Sequence, residues 1–219
     1  MLKKSKLTSF GFFVKTCGEA FLIGKPNVLV GLKVVFLRLS KKVEEFFKLH
    51  LKRSFTHLNV SSAYSLRYAS GMPEKIVEQA KLLNFSKIAI TDQDTLSGAI
   101  NFVQHCLANS ITPIIGVDFN LGKSRVLVLA RGKNGFRDLC HLVSKAHEKE
   151  RGKPKLDISY LWEKMKQGNL VAILGVNSDI GQNIIRNRND LALHLLNSWI
   201  EHVDKQDLII EVVSHSNLH

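Results

Sequence analysis

Three short stretches of this 219-residue chain carry side chains that could do metal-assisted chemistry. Thr91-Asp92-Gln93-Asp94 follows the apolar run Lys87–Thr91. Two carboxylates one residue apart at the end of a strand can hold a divalent cation through oxygen. Gly116-Val117-Asp118 closes a second apolar run and offers a third carboxylate. His57-Leu58-Asn59-Val60-Ser61 lies in an earlier one, where strand alternation places His57, Asn59 and Ser61 on one face. Imidazole nitrogen is the ligand that zinc or manganese would favour there, and His57 alone supplies it. Each group also has a commoner use: a loop Asp often caps the next helix, and a lone His often packs.

These residues need a frame, and the hydrophobic periodicity predicts one. Short apolar runs at Phe55–Val60, Lys87–Thr91, Pro113–Phe119, Arg125–Ala130, Leu170–Leu174 and Leu208–Val213 read as strands. Between them, helical spacing predicts helices from Pro73 (Ile76, Val77, Ala80 and Leu83 inward), over Leu96–Leu107, over Asn134–His147 and over Leu191–Val203. In Asn134–His147 the predicted inner side is Phe136, Leu139, Cys140, Val143 and Ala146. Apolar strands alternating with helices predict a parallel α/β sheet or barrel. In such folds chemistry sits in loops at the carboxyl ends of the strands, where Asp92, Asp94 and Asp118 fall.

Charge divides the chain near Ser54. Met1–Ser54 holds twelve Lys or Arg against three Glu, whereas the remainder holds nineteen against sixteen Asp or Glu. The net charge of +12 favours a polyanionic partner such as nucleic acid or an acidic lipid surface, and most of it lies in the first quarter. Lys41–Lys52 is the best helix there, with Val43, Phe46 and Phe47 on one face. Apolar runs in this segment are broken by Lys15, Glu19, Lys33 and Arg38, so none reaches the ~20 residues of a spanning helix. Three cysteines without a CxxC pair argue for a reducing compartment, with Cys106 and Cys140 read as small buried hydrophobes.

From Phe55 to about His215 the ordered phrases resemble the polymerase-and-histidinol-phosphatase (PHP) domain of bacterial DNA polymerase III alpha subunits. They are HLNVSSAYSLRYASGMPEKIVEQAKLLNFSKIAITDQD, LSGAINFVQHC, ITPIIGVDF, VLVLARGKNGFRDLCHLVSKA, LDISYLW, NLVAILG and LIIEVV. The resemblance implies a distorted (β/α) barrel at 55–219, incomplete at its C-terminus and with an exposed edge. Residues 1–54 would form a basic extension unlike the family. Metal-binding members carry His at the positions of Asn59 and Ser61, His at Gln93, Glu at Asp118 and His at Arg125. The resemblance therefore implies vestigial metal positions at Asn59, Ser61, Asp92, Gln93, Asp94, Asp118 and Arg125. No zinc or manganese cluster and no catalytic residue are expected. It also implies a cytoplasmic, structural part of a replicative polymerase, with DNA and other polymerase subunits as partners and no membrane association. A working PHP phosphoesterase, and a nucleic-acid-binding module built on the basic segment, are the alternatives.

Overall fold

The computed structural model describes residues 11–16, 19–23, 56–149 and 152–214. The predicted helix over Lys41–Lys52 and the residue Phe55 lie outside the described residues. Two strands come first, β1 (Gly11–Thr16) and β2 (Glu19–Ile23). Then follow α1 (Pro73–Leu82), β3 (Lys87–Gln93), α2 (Ala99–Ala108), β4 (Thr112–Asn120), β5 (Arg125–Ala130) and α3 (Gly132–His147). The order closes with α4 (Ile158–Met165), β6 (Leu170–Leu174), α5 (Asp179–Ile185), α6 (Asn189–His202) and β7 (Leu208–Ser214). The described strands form one sheet in the order β2-β1-β7-β6-β5-β4-β3, and among the described residues the sheet does not close on itself by strand pairing. The fold is mixed α/β, with the five strands β3–β7 forming its body.

Strand composition explains why the body sits between two apolar layers. β3 and β5 are buried along nearly their whole length, as expected of strands covered on both faces. On the outer face Val117, Phe119, Val126 and Val128 pack with Leu139 and Leu142 of α3 and Trp199 of α6. Ile88 and Ile90 pack with Val77 of α1 and Phe102 and Cys106 of α2. Alternation sends the intervening residues to the concave face, where Leu127, Leu129 and Ile173 meet Leu58, Ile114 and Ile209. The sheet is curled enough that Asn59 Nδ2, beside β3, lies 3.3 Å from Glu211 Oε1 on β7.

Four sequence expectations are corrected. First, the sheet is not all parallel: β5 runs antiparallel to both β4 and β6. The Leu121–Ser124 link is far too short for the crossover of a dozen or so residues that a parallel neighbour needs. Second, Phe55–Val60 is reduced to an extended segment with one parallel bridge, His57 to Ile88. It is tied further by the Ala89 and Thr91 amides donating to the His57 and Val60 carbonyls. Third, the sheet stays open as expected but its edge does not fall on β7, because β1 pairs with it in parallel from Gly11↔Ile209 to Thr16↔Ser214. Fourth, Cys140 is exposed, and Phe136 and Val143 are only half-buried. The buried stripe of α3 keeps the predicted Leu139 and Ala146 and otherwise runs through Gly135, Asp138 and Leu142. Cys106 is buried as expected, and burial pushes its thiol up to about 11.

Helices appear also at α4 and α5, where the sequence reading places none. Each begins on a side-chain cap that signals a helix start: Asp157 accepts from the Ser159 amide, and Ser178 from the Gly181 amide.

Candidate functional site at the sheet mouth

The carboxyl ends of β3, β4 and β7 and the amino end of β5 meet at one mouth of the curled sheet. The antiparallel turn into β5 is decisive. In a parallel strand Arg125, its first residue, would lie at the opposite end. Here it stands opposite Asn120 at the end of β4 and reaches back to Asp118. The turn is shaped by Asn120, whose Oδ1 accepts from the Gly122 amide at 2.8 Å, and by Gly122 at φ +101°.

Asp92 is buried, with three donors directed at it. The Ser62 amide and hydroxyl lie 2.6 and 2.7 Å away, and the Ser65 hydroxyl 2.7 Å. The Ser65 hydroxyl oxygen also accepts from the Gln93 amide at 3.0 Å. This carboxylate thus pins the loop after the first extended segment onto β3. Its oxygens are taken up by loop donors.

Asp94, also buried, adopts φ +56°, in the left-handed region where Asp is one of the few tolerated side chains. It does not cap α2, whose cap residue Gly98 makes no side-chain bond. Instead Oδ1 accepts from the Asn120 amide at 2.7 Å and Oδ2 from Arg125 at 2.9 Å. Its amide donates to the Asp118 carbonyl, and its own carbonyl meets His147 Nε2 at 2.8 Å. One residue thereby ties the β3, β4 and β5 ends to the end of α3.

Asp118 lies on the concave face opposite Gln93 of β3. Arg125 Nε donates to its Oδ2 at 2.9 Å, and Arg125 Nη2 also bonds its carbonyl oxygen. Burial pushes the Asp118 carboxyl up to about 6, the neighbouring Arg125 opposing and Asp94 and Glu211 adding to the rise. Burial likewise works against the Arg125 charge, but Asp118 and Asp94 outweigh it and hold the guanidinium above its ordinary pKa. The guanidinium lies between the Asp94 and Asp118 carboxylates, where a cation shared by them would have to sit.

Of the residues singled out in the sequence, Asp92, Gln93, Asp94, Asp118 and Arg125 converge here, with Asn59 joined through Glu211. Ser61 is half-buried next to Ser62, and it is Ser62 that binds Asp92. His57 lies at the other end, paired with the start of β3 and with its ring 5.0 Å from that of Phe85. Sequence reasoning missed Ser62, Ser65, His147 and Glu211. A lone Glu within the apolar run LIIEVV was the one available signal for Glu211. Beside the mouth opens a cleft of about 740 Å³, lined in part by Tyr64, Leu66, Met72, Gln93, Asp94 and His147. Among the described residues no group of three or more His, Cys, Asp or Glu is arranged to hold a metal ion.

Comparison with known proteins adds to this geometry. A sequence profile of the PHP domain matches residues 57–215. The DNA polymerase III subunit alpha of Escherichia coli strain K12 is 31% identical over 157 residues, 68% of this chain and 13% of that protein. Its counterpart in Bacillus subtilis strain 168 is 35% identical over 116 residues, 49% of this chain and 10% of that one. The error-prone DNA polymerase of Mycobacterium tuberculosis strain H37Rv is 32% identical over 123 residues, 50% of this chain and 11% of that one. The matched region thus spans about a tenth of the length of these curated relatives. An amidohydrolase from Chromobacterium violaceum, solved with sulfate and no metal, superposes with a TM-score of 0.46 at 12% identity, covering 74% of this chain and 88% of that one.

Proposed function

The chain belongs to the PHP domain family, homologous to the PHP region of DNA polymerase III alpha subunits, and from that premise we propose that it serves as a metal-free structural domain of the replicative-polymerase type. The observation that carries the proposal is the state of the three mouth carboxylates. Asp92 is held by Ser62 and Ser65, Asp94 by Asn120 and Arg125, and Asp118 by Arg125. A hydrolytic metal centre needs open carboxylate oxygens, imidazoles and a position for activated water. Here amide and hydroxyl side chains stand where the resemblance implies imidazoles, and a guanidinium lies among the acids.

In this reading the PHP domain supports a polymerase core in the cytoplasm and contacts other replication subunits and DNA. No described helix is long and apolar enough to cross a membrane.

The test is elemental analysis of the purified, untagged chain, followed by phosphomonoester hydrolysis with added manganese. We expect neither stoichiometric zinc or manganese nor turnover. Metal at one equivalent together with hydrolysis would overturn the metal-free reading in favour of a phosphoesterase.

A further inference from the structure

We infer that the Arg125 guanidinium is a built-in substitute for a divalent cation, holding together the loops that an ion would otherwise join. The inference rests on the metal-free reading above and goes beyond it by assigning the structural work of the missing ion to one side chain. A cation at such a mouth does two jobs. It neutralises converging carboxylates, and it fixes the strand ends that carry them.

Arg125 meets both requirements. Its Nη2 reaches Asp94 and its Nε reaches Asp118, each at 2.9 Å, so one planar group joins the end of β3 to the end of β4. A further bond from Nη2 to the Asp118 carbonyl fixes backbone as well as side chain. The fork geometry is what permits this, because five N–H donors in one plane can serve two carboxylates together. The arginine is placed by the fold: its backbone amide donates to the Asn177 carbonyl at 2.8 Å, anchoring the start of β5 to the loop after β6. Glu211 adds a third carboxylate, held by Asn59, so the polar girdle runs from the first extended segment to the last strand. Two acids meet on one guanidinium, and Glu211 stands close enough to act on Asp118. Removing the arginine creates a demand for another cation.

The experiment compares the full chain with Arg125→His and Arg125→Lys by thermal unfolding, each in chelator and with manganese alone added. Arg125→His removes the fork and supplies an imidazole beside Asp94 and Asp118. It should lose about 5 °C or more of Tm in chelator and regain most of it with manganese. The unaltered chain should respond to neither addition. Arg125→Lys keeps the charge without the fork, so it should lose part of the Tm and not respond to manganese. An Arg125→His variant with unchanged Tm in chelator, or with a lowered Tm that manganese leaves untouched, would overturn the substitution. Metal in the unaltered chain would instead overturn the metal-free reading on which it rests, so the two failures are distinguishable.

Discussion

At the scale of single residues, Asp118 is pulled in two directions. Burial raises its carboxyl from the usual 3.8 to about 6 despite the bond to Arg125. The native state therefore holds this proton where the unfolded chain has released it. Stability from this group is fully present below about 4, and is lost as the pH rises through about 6. Asp118→Asn removes the titration. The Tm difference, original minus variant, should therefore fall between pH 4 and pH 7, by the equivalent of about 2 kcal/mol. A difference that stays flat, measured by thermal unfolding at a series of pH values, would show that the carboxyl titrates normally. The carboxylates themselves were legible in the sequence, because Asp at the end of an apolar run marks a strand mouth. Their partners were not. Ser62 and Ser65 look like any loop serines until the chain folds back onto Asp92, and Glu211 enters only because the sheet curls.

At the scale of elements, the helix periods and most strand positions were legible. The direction of β5 and the rotation of α3 were not. β5 was read by pattern alone, and an apolar run carries no sign of its direction; the four-residue link before it does. The face of α3 was right at Leu139 and Ala146 and misjudged at Phe136 and Cys140, where large or apolar side chains were assumed to point inward. Gly135 and Asp138 also face inward. A Cβ on Gly135 would come within 2.3 Å of the Asn169 carbonyl oxygen and 3.0 Å of the Ala130 Cα. The helix thus approaches the sheet at a glycine, and the carboxylate of Asp138 accepts from Asn169 Nδ2 at 3.1 Å. Gly135→Ala forces backbone to move and should cost about 3 kcal/mol, read by urea unfolding. Gly132→Ala meets nothing within 4 Å but must hold φ +60°, and should cost only about 1 kcal/mol. Equal losses would contradict the close approach at Gly135.

At the scale of the whole molecule, most of the charge and the family match occupy different parts of the chain. The near-neutral body carries the family match, whereas the first 54 residues carry most of the positive charge. If that segment engages DNA, the full chain should bind a short duplex with an affinity that falls steeply with salt. Removing Met1–Ser54 should abolish most of that dependence in fluorescence anisotropy. An unchanged salt slope would assign the binding to the body. The family itself was readable from the order of short phrases, because order along a chain survives substitutions that erase any one motif.

The pairing of β1 with β7 sets a timetable. Gly11 is made early and its sheet neighbour Ile209 roughly two hundred residues later. During synthesis β1 and β2 can pair with each other at once, but their place in the sheet does not exist until the last strand has emerged. Among the described strands this pairing spans the most chain, and the nascent chain must hold the β1–β2 hairpin in waiting while everything between is built.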